Sequence, residues 1–91
     1  DFPISLEAAK SGERLFIRGF TGGTRSKLRL LTMGLRVGDV IEVITNVSHG
    51  QLVIAADFKR LVLGHGLARK ILVSPFSAAD DAEAPAGQGK K

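Results

Sequence analysis

The side chains able to do chemistry in this chain are few. There are two histidines, His49 and His65, and there is no Cys, Tyr or Trp. A nucleophile would have to be Ser, Thr or Lys with His as its base, and no spacing sets Ser48 or Ser74 against either histidine. Imidazole and carboxylate suit ferrous iron, so His49 and His65 with Asp39 or Asp57 form the one conceivable donor set. No ligand spacing links them: His49 falls at a hairpin tip and His65 between two glycines, which reads as two surface loops. Gly22-Gly23-Thr24 opens a helix and could cradle a phosphate at its start. The Gly-Lys-Ser/Thr ending of a P-loop is missing, so a simple turn is the better reading. The expectation is no catalytic residue, no metal ligand and no cofactor.

Cations are the remaining candidates. Arg25, Lys27, Arg29 and Arg36 cluster around one helix and the turn after it, beside apolar Leu30 and Met33. Such a cluster is routine on a solvated helix face. It also suits a protein interface, where Arg and Met are enriched. Between Ser5 and Ser74 there are eleven Lys and Arg against five Asp and Glu, a net +6, whereas the whole chain carries +4. A basic domain favours acidic partners, nucleic acid or an anionic lipid surface. The aromatic interleaving that base stacking needs is absent from the cluster, so no nucleic acid is expected.

These residues must be held by a small core. The chain has 91 residues, 44% of them apolar, enough for one thin domain built on Leu, Ile and Val. Without Cys no disulfide can brace it. The longest uncharged apolar stretch, Leu52 to Ala56, is strand-length, far short of the ~20 residues of a membrane span. The start, Asp1-Phe2-Pro3-Ile4, lacks the basic and apolar regions of a signal peptide, so a cytoplasmic location is expected.

Along the chain, Ile4 to Gly12 reads as a short helical turn capped by Ser5. Glu13 to Phe20 alternates as a strand with Leu15 and Ile17 inward. Thr24 is placed to cap a helix over Arg25 to Met33, with Leu28 and Leu31 facing the core and Leu30 and Met33 widening the stripe. Gly34 fits a left-handed stop, and Leu35 then packs back against Leu30. A turn over Arg36 to Asp39 leads to a strand from Val40 to Val47, with Ile41, Val43 and Val47 inward. Gly50 marks a hairpin bend. Gln51 to Ala56 and Phe58 to Leu63 follow as strands joined around Asp57, then at most one helical turn over Leu67 to Lys70 and a closing strand Ile71-Leu72-Val73. After Pro75 the composition turns to Ala, Asp, Gly, Pro and Gln, a disordered tail on compositional grounds. The organisation expected is an N-terminal extension over 1–4, a domain over 5–74 and a tail over 75–91. About five short strands with one α-helix after the first suggest a mainly β fold, a small curved antiparallel sheet that closes into a barrel to protect its edges.

Leu30, Met33, Gly34, Leu35, Gly38, Ile41 and Val43 together make a Leu-x-x-Met-Gly-Leu-x-x-Gly-x-x-apolar-x-Val run. This resembles the motif of the FeoA family, small cytosolic accessory proteins of bacterial ferrous-iron uptake. Ser5-Leu6 with Gly12-Glu13, Ile17 to Phe20, and Leu61 to Leu63 followed by Ala68 and Ile71 to Val73 are similar to its other parts, so the resemblance runs from about Ile4 to Ser74. Two features depart from it: the acidic tail, and a hairpin Asn46 to Gly50 without the usual Pro-Leu-Gly-Asp character.

The resemblance implies an SH3-like β-barrel and a non-enzymatic partner-binding module. The implied partner is the membrane ferrous-iron permease, through its cytosolic GTPase region, which would bring the protein to the inner face of the membrane. The expected docking residues are Arg25, Arg29, Met33, Leu35 and Arg36. A homo-oligomer is also expected from exposed strand edges. The rivals are a detached SH3-like regulatory domain of the metal-dependent repressor type and a basic nucleic-acid-binding barrel. A chain beginning almost at the barrel weighs against the first.

Overall fold

A computed structural model describes residues 2–47 and 50–76. The hairpin tip with His49 and the tail from residue 77 lie outside the described residues. The strands are β1 (Ile4–Ser5), β2 (Arg14–Phe20), β3 (Val40–Asn46), β4 (Leu52–Ala56), β5 (Lys59–Leu63) and β6 (Ile71–Pro75). Between them lie a 3-10 turn (Leu6–Ala8) and two helices, α1 (Thr24–Thr32) and α2 (His65–Ala68). The six strands form one antiparallel sheet in the order β1-β6-β2-β3-β4-β5, so the backbone ladder does not close.

Alternation puts Leu15 and Ile17, Ile41 and Val43, Leu52 and Ile54, Leu63, and Ile71 and Val73 on one side, where they form a single core. Two bulges, one between Ile17 and Gly19 and one between Val43 and Thr45, shift the register and bend the strands over that core. A mainly β, SH3-like sheet with one substantial helix is therefore the observed class.

The second bulge corrects one expectation. It places two residues opposite one, so the inward set on β3 jumps from Val43 to Asn46, which pairs with buried Leu52. Val47 then points outward and is 49% exposed. Asn46 uses its inward position to donate from Nδ2 to the carbonyls of Glu7 and Ala9, fastening the 3-10 turn to the sheet.

The N-terminal segment differs as well. Ile4 and Ser5 pair with Val73 and Leu72 as an extra edge strand, and only Leu6 to Ala8 is helical, with the Ser5 hydroxyl accepting from the Glu7 N–H. The helix over Thr24 to Thr32 thus follows the second strand in chain order, which is the first of substantial length.

Helix α1 also turns a different face inward from the one its apolar spacing suggested. Leu30 is buried, Met33 packs against the core and Leu31 is half-buried, but Leu28 is 56% exposed. With 3.6 residues per turn, Leu28 and Leu30 stand about 200° apart, so only one of them can face the core. The helix stop decides which. Gly34 adopts φ +93°, its N–H donates to Leu31 O at 2.9 Å, and the Leu35 N–H donates to Leu30 O at 3.2 Å. That pair of bonds is a Schellman cap, and it brings Leu35 against Leu30.

Candidate docking surface

The two ends of α1 are built differently. At the N-terminal end the cap residue is Gly23, not Thr24, and no side chain bonds the first free N–H groups. No acidic residue occupies the first turn, although acids there would be favoured by the helix dipole. Arg25 stands there instead, and Arg29 lies four residues on, a like-charge spacing that weakens an isolated helix by some tenths of a kcal/mol. Cap, dipole and side-chain pairing are thus all set against local stability. Conflicts of this kind are expected where residues serve something other than folding.

The outward side of α1 carries Arg25, Leu28, Arg29 and Thr32, all exposed. An isolated exposed leucine would be unremarkable, but this one lies between Arg25, one turn before it, and its neighbour Arg29, both exposed. Beside it runs an open groove of about 370 Å³ lined by Arg25, Ser26, Arg29, Gly66, Leu67, Arg69 and Lys70. Topology creates that groove. β6 pairs with β2, so Ile71 sits opposite Phe20 and the residue entering β6 meets the residue leaving β2. The Thr21 N–H donates to Lys70 O at 2.7 Å, and Lys70 Nζ donates to Ser26 Oγ at 2.9 Å, tying α1 to the α2–β6 junction. Arg69 Nε donates to Glu7 Oε1 at 2.8 Å. Four cations lining the groove beside Leu67 can receive carboxylates or phosphates.

Of the residues expected to dock a partner, Arg25 and Arg29 come together on this surface. Met33 is half-buried against the core. Leu35 is fully buried and cannot touch a partner, because the cap that the Gly34 stop creates drives it into the core. Arg36 is exposed in the turn beyond the stop and does not line the groove. Leu28, Arg69 and Lys70 belong to this surface and were not expected there. Leu28 was assigned to the core, and nothing local reveals a partnership between Lys70 and Ser26 that depends on a pairing of strands far apart in sequence.

His65 begins α2, and its Nε2 donates to Val47 O at 2.9 Å, a structural role that spans the base of the β3–β4 hairpin. Among the described residues no three His, Cys, Asp or Glu side chains gather as a metal site. A second cationic feature lies on the outer side of β2 and β6. Phe16 and Phe76 meet edge-to-face at 5.1 Å, Arg14 lies over Phe76 at 4.7 Å and Arg18 over Phe16 at 5.0 Å. Aromatic and basic residues are therefore interleaved after all, through strand pairing. Each ring, however, already carries one of the chain's own guanidinium groups on a face, where a base would otherwise stack.

Residues 4–75 match the FeoA domain family. The chain belongs to the FeoA domain family. It is 34% identical over 72 residues to the "Putative Fe(2+) transport protein A" of Methanocaldococcus jannaschii, which covers 79% of this chain and 84% of the relative. A crystal structure of an iron uptake regulatory protein (FeoA) superposes with a TM-score of 0.76 at 26% identity, covering 80% of this chain and 97% of that one. A manganese-dependent transcriptional repressor shares the fold, with a TM-score of 0.74 at 18% identity over 79% of this chain but only 41% of its own. In this FeoA-family chain, the motif from Leu30 to Val43 forms the helix stop and the start of β3, so the residues that identify the family are mostly those that build the core. Among the described residues no helix is long and apolar enough to cross a membrane.

Proposed function

We propose that this FeoA-family chain is a cytoplasmic, non-enzymatic accessory protein of ferrous-iron uptake that docks on the cytosolic GTPase region of the ferrous-iron permease and modulates transport. The single observation carrying the docking site is the outward face of α1, where exposed Leu28 sits near Arg25 and Arg29 at a helix end with no side-chain cap and no acid in its first turn. A relative named for Fe(2+) transport supports the pathway, and the family resemblance supports the partner. A Leu anchor surrounded by Arg suits an acidic surface bearing an apolar pocket.

The test is capture of the permease's purified cytosolic domain by wild-type chain and by Arg25→Glu with Arg29→Glu. Retained fold with weaker capture supports the assignment; capture equal to wild type removes it. The Phe16–Phe76 cluster with Arg14 and Arg18 motivates the nucleic-acid reading as the second choice. A specific gel shift at physiological salt, lost in Arg14→Ala with Arg18→Ala, would put that reading first.

A further inference from the structure

The sheet has two edges of unequal length, the two residues of β1 and the five of β5. In the β4–β5 hairpin, Asp57 and Phe58 form a two-residue turn closed by the pair Ala56 and Lys59. Such a turn is closed by a hydrogen-bonded pair, after which bonded and non-bonded pairs alternate. Lys59, Leu61 and Leu63 therefore bond back to β4, while Arg60 and Val62 turn their N–H and C=O outward. Among the described residues no backbone hydrogen bond from a loop or cap reaches either one. Exposed apolar side chains stand at both ends of the edge: Val62 is 54% exposed, and Phe58, at the turn beside Lys59, is 106% exposed.

We propose that β5 pairs antiparallel with β5 of a second copy of this chain about a two-fold axis through Leu61, giving one continuous sheet across the dimer. The fit of the strand to its own antiparallel copy is what favours this occupant, and the placing of charge selects the register. Both cations of the strand, Lys59 and Arg60, lie at one end, so an antiparallel copy carries its own to the other end. Lys59 then faces Leu63 of the second copy and Arg60 faces its Val62, with all five strand residues paired. Centring the axis on Arg60 would set two guanidinium groups directly opposite, which is destabilising. Centring it on Val62 leaves only three strand residues paired. In the Leu61 register Arg60 and Val62 exchange their outward hydrogen bonds, and Phe58 comes opposite Gly64 of the second copy, where a ring covers a residue without a side chain. The net +6 of residues 5–74 repels a like copy, so the dimer tightens as salt rises.

The full chain has no Cys, so a single introduced thiol reports one position. Leu61 and its mate form a non-hydrogen-bonded pair, with Cα atoms roughly 4.5 Å apart and within disulfide reach. Mild oxidation is expected to convert most of Leu61→Cys to covalent dimer and to leave Val62→Cys mainly monomeric. Sedimentation of the wild type should show a monomer–dimer equilibrium whose dissociation constant falls severalfold between 0.05 and 0.5 M salt (on the order of the screening change expected). Val62→Pro removes an outward N–H only, so it should keep the wild-type circular dichroism and melting point yet sediment as monomer. Its capture of the permease domain should be unchanged, which separates this proposal from docking through α1. A wild type that stays monomeric at every concentration and salt overturns the proposal, and so does dimerisation of Val62→Pro equal to wild type. Cross-linking through Val62→Cys in place of Leu61→Cys overturns the register. A monomer whose β5 is protected only by an extended segment of another protein makes this edge a strand-addition site and likewise overturns self-pairing.

Discussion

The two ends of α1 carry the same kinds of residue and use them in opposite ways. At the C-terminal end the N–H groups of Gly34 and Leu35 satisfy the orphan carbonyls of Leu31 and Leu30, and Leu30 and Leu35 are completely buried. At the N-terminal end Gly23 offers no side-chain cap, Arg25 opposes the dipole, and Leu28 faces water. One end spends its apolar residue on stability. The other leaves it exposed, which teaches that the recognisable motif and the proposed docking surface are neighbours and not the same residues.

The contrast can be broken by substitution. Leu35→Ala, at the buried end, should have the largest effect on folding, a loss of about 2–5 kcal/mol in denaturant unfolding. Gly34→Ala comes next. Its φ of +93° disfavours any Cβ, and that Cβ would crowd the Lys59 side chain, so a loss of about 1–2 kcal/mol is expected. At the open end the sign reverses. Gly23→Asp supplies the missing cap and an acid at the helix start, and thermal unfolding should show a gain of some tenths to about 1 kcal/mol. Leu28→Ala should move stability least, by under about 0.5 kcal/mol. If Leu28→Ala costs as much as Leu35→Ala, the two ends do not differ as described.

Much of this was legible in sequence. The Gly34 stop, the packing of Leu35 on Leu30, and the inward residues Leu15 and Ile17 of β2 and Ile41 and Val43 of β3 follow from local geometry and alternation. Leu28 was misplaced because spacing alone allows a stripe through Leu28 and Leu31 as well as one through Leu30 and Met33, and only the cap chooses between them. Val47 was misplaced because a bulge reverses alternation without leaving a residue type that announces it. For the groove the obstacle is different in kind: Ser26 and Lys70 are 44 positions apart and meet only because β2 and β6 pair. The same holds for Phe16 and Phe76, whose contact depends on that pairing too.

The most direct test of the docking assignment is a titration of the permease's cytosolic GTPase domain with Leu28→Asp, carried out beside a melting curve of the same variant. The account predicts a melting point within a few degrees of wild type, as for an exposed position, with affinity at least about tenfold weaker, as for a lost interface anchor. Wild-type affinity in a folded Leu28→Asp variant would contradict it.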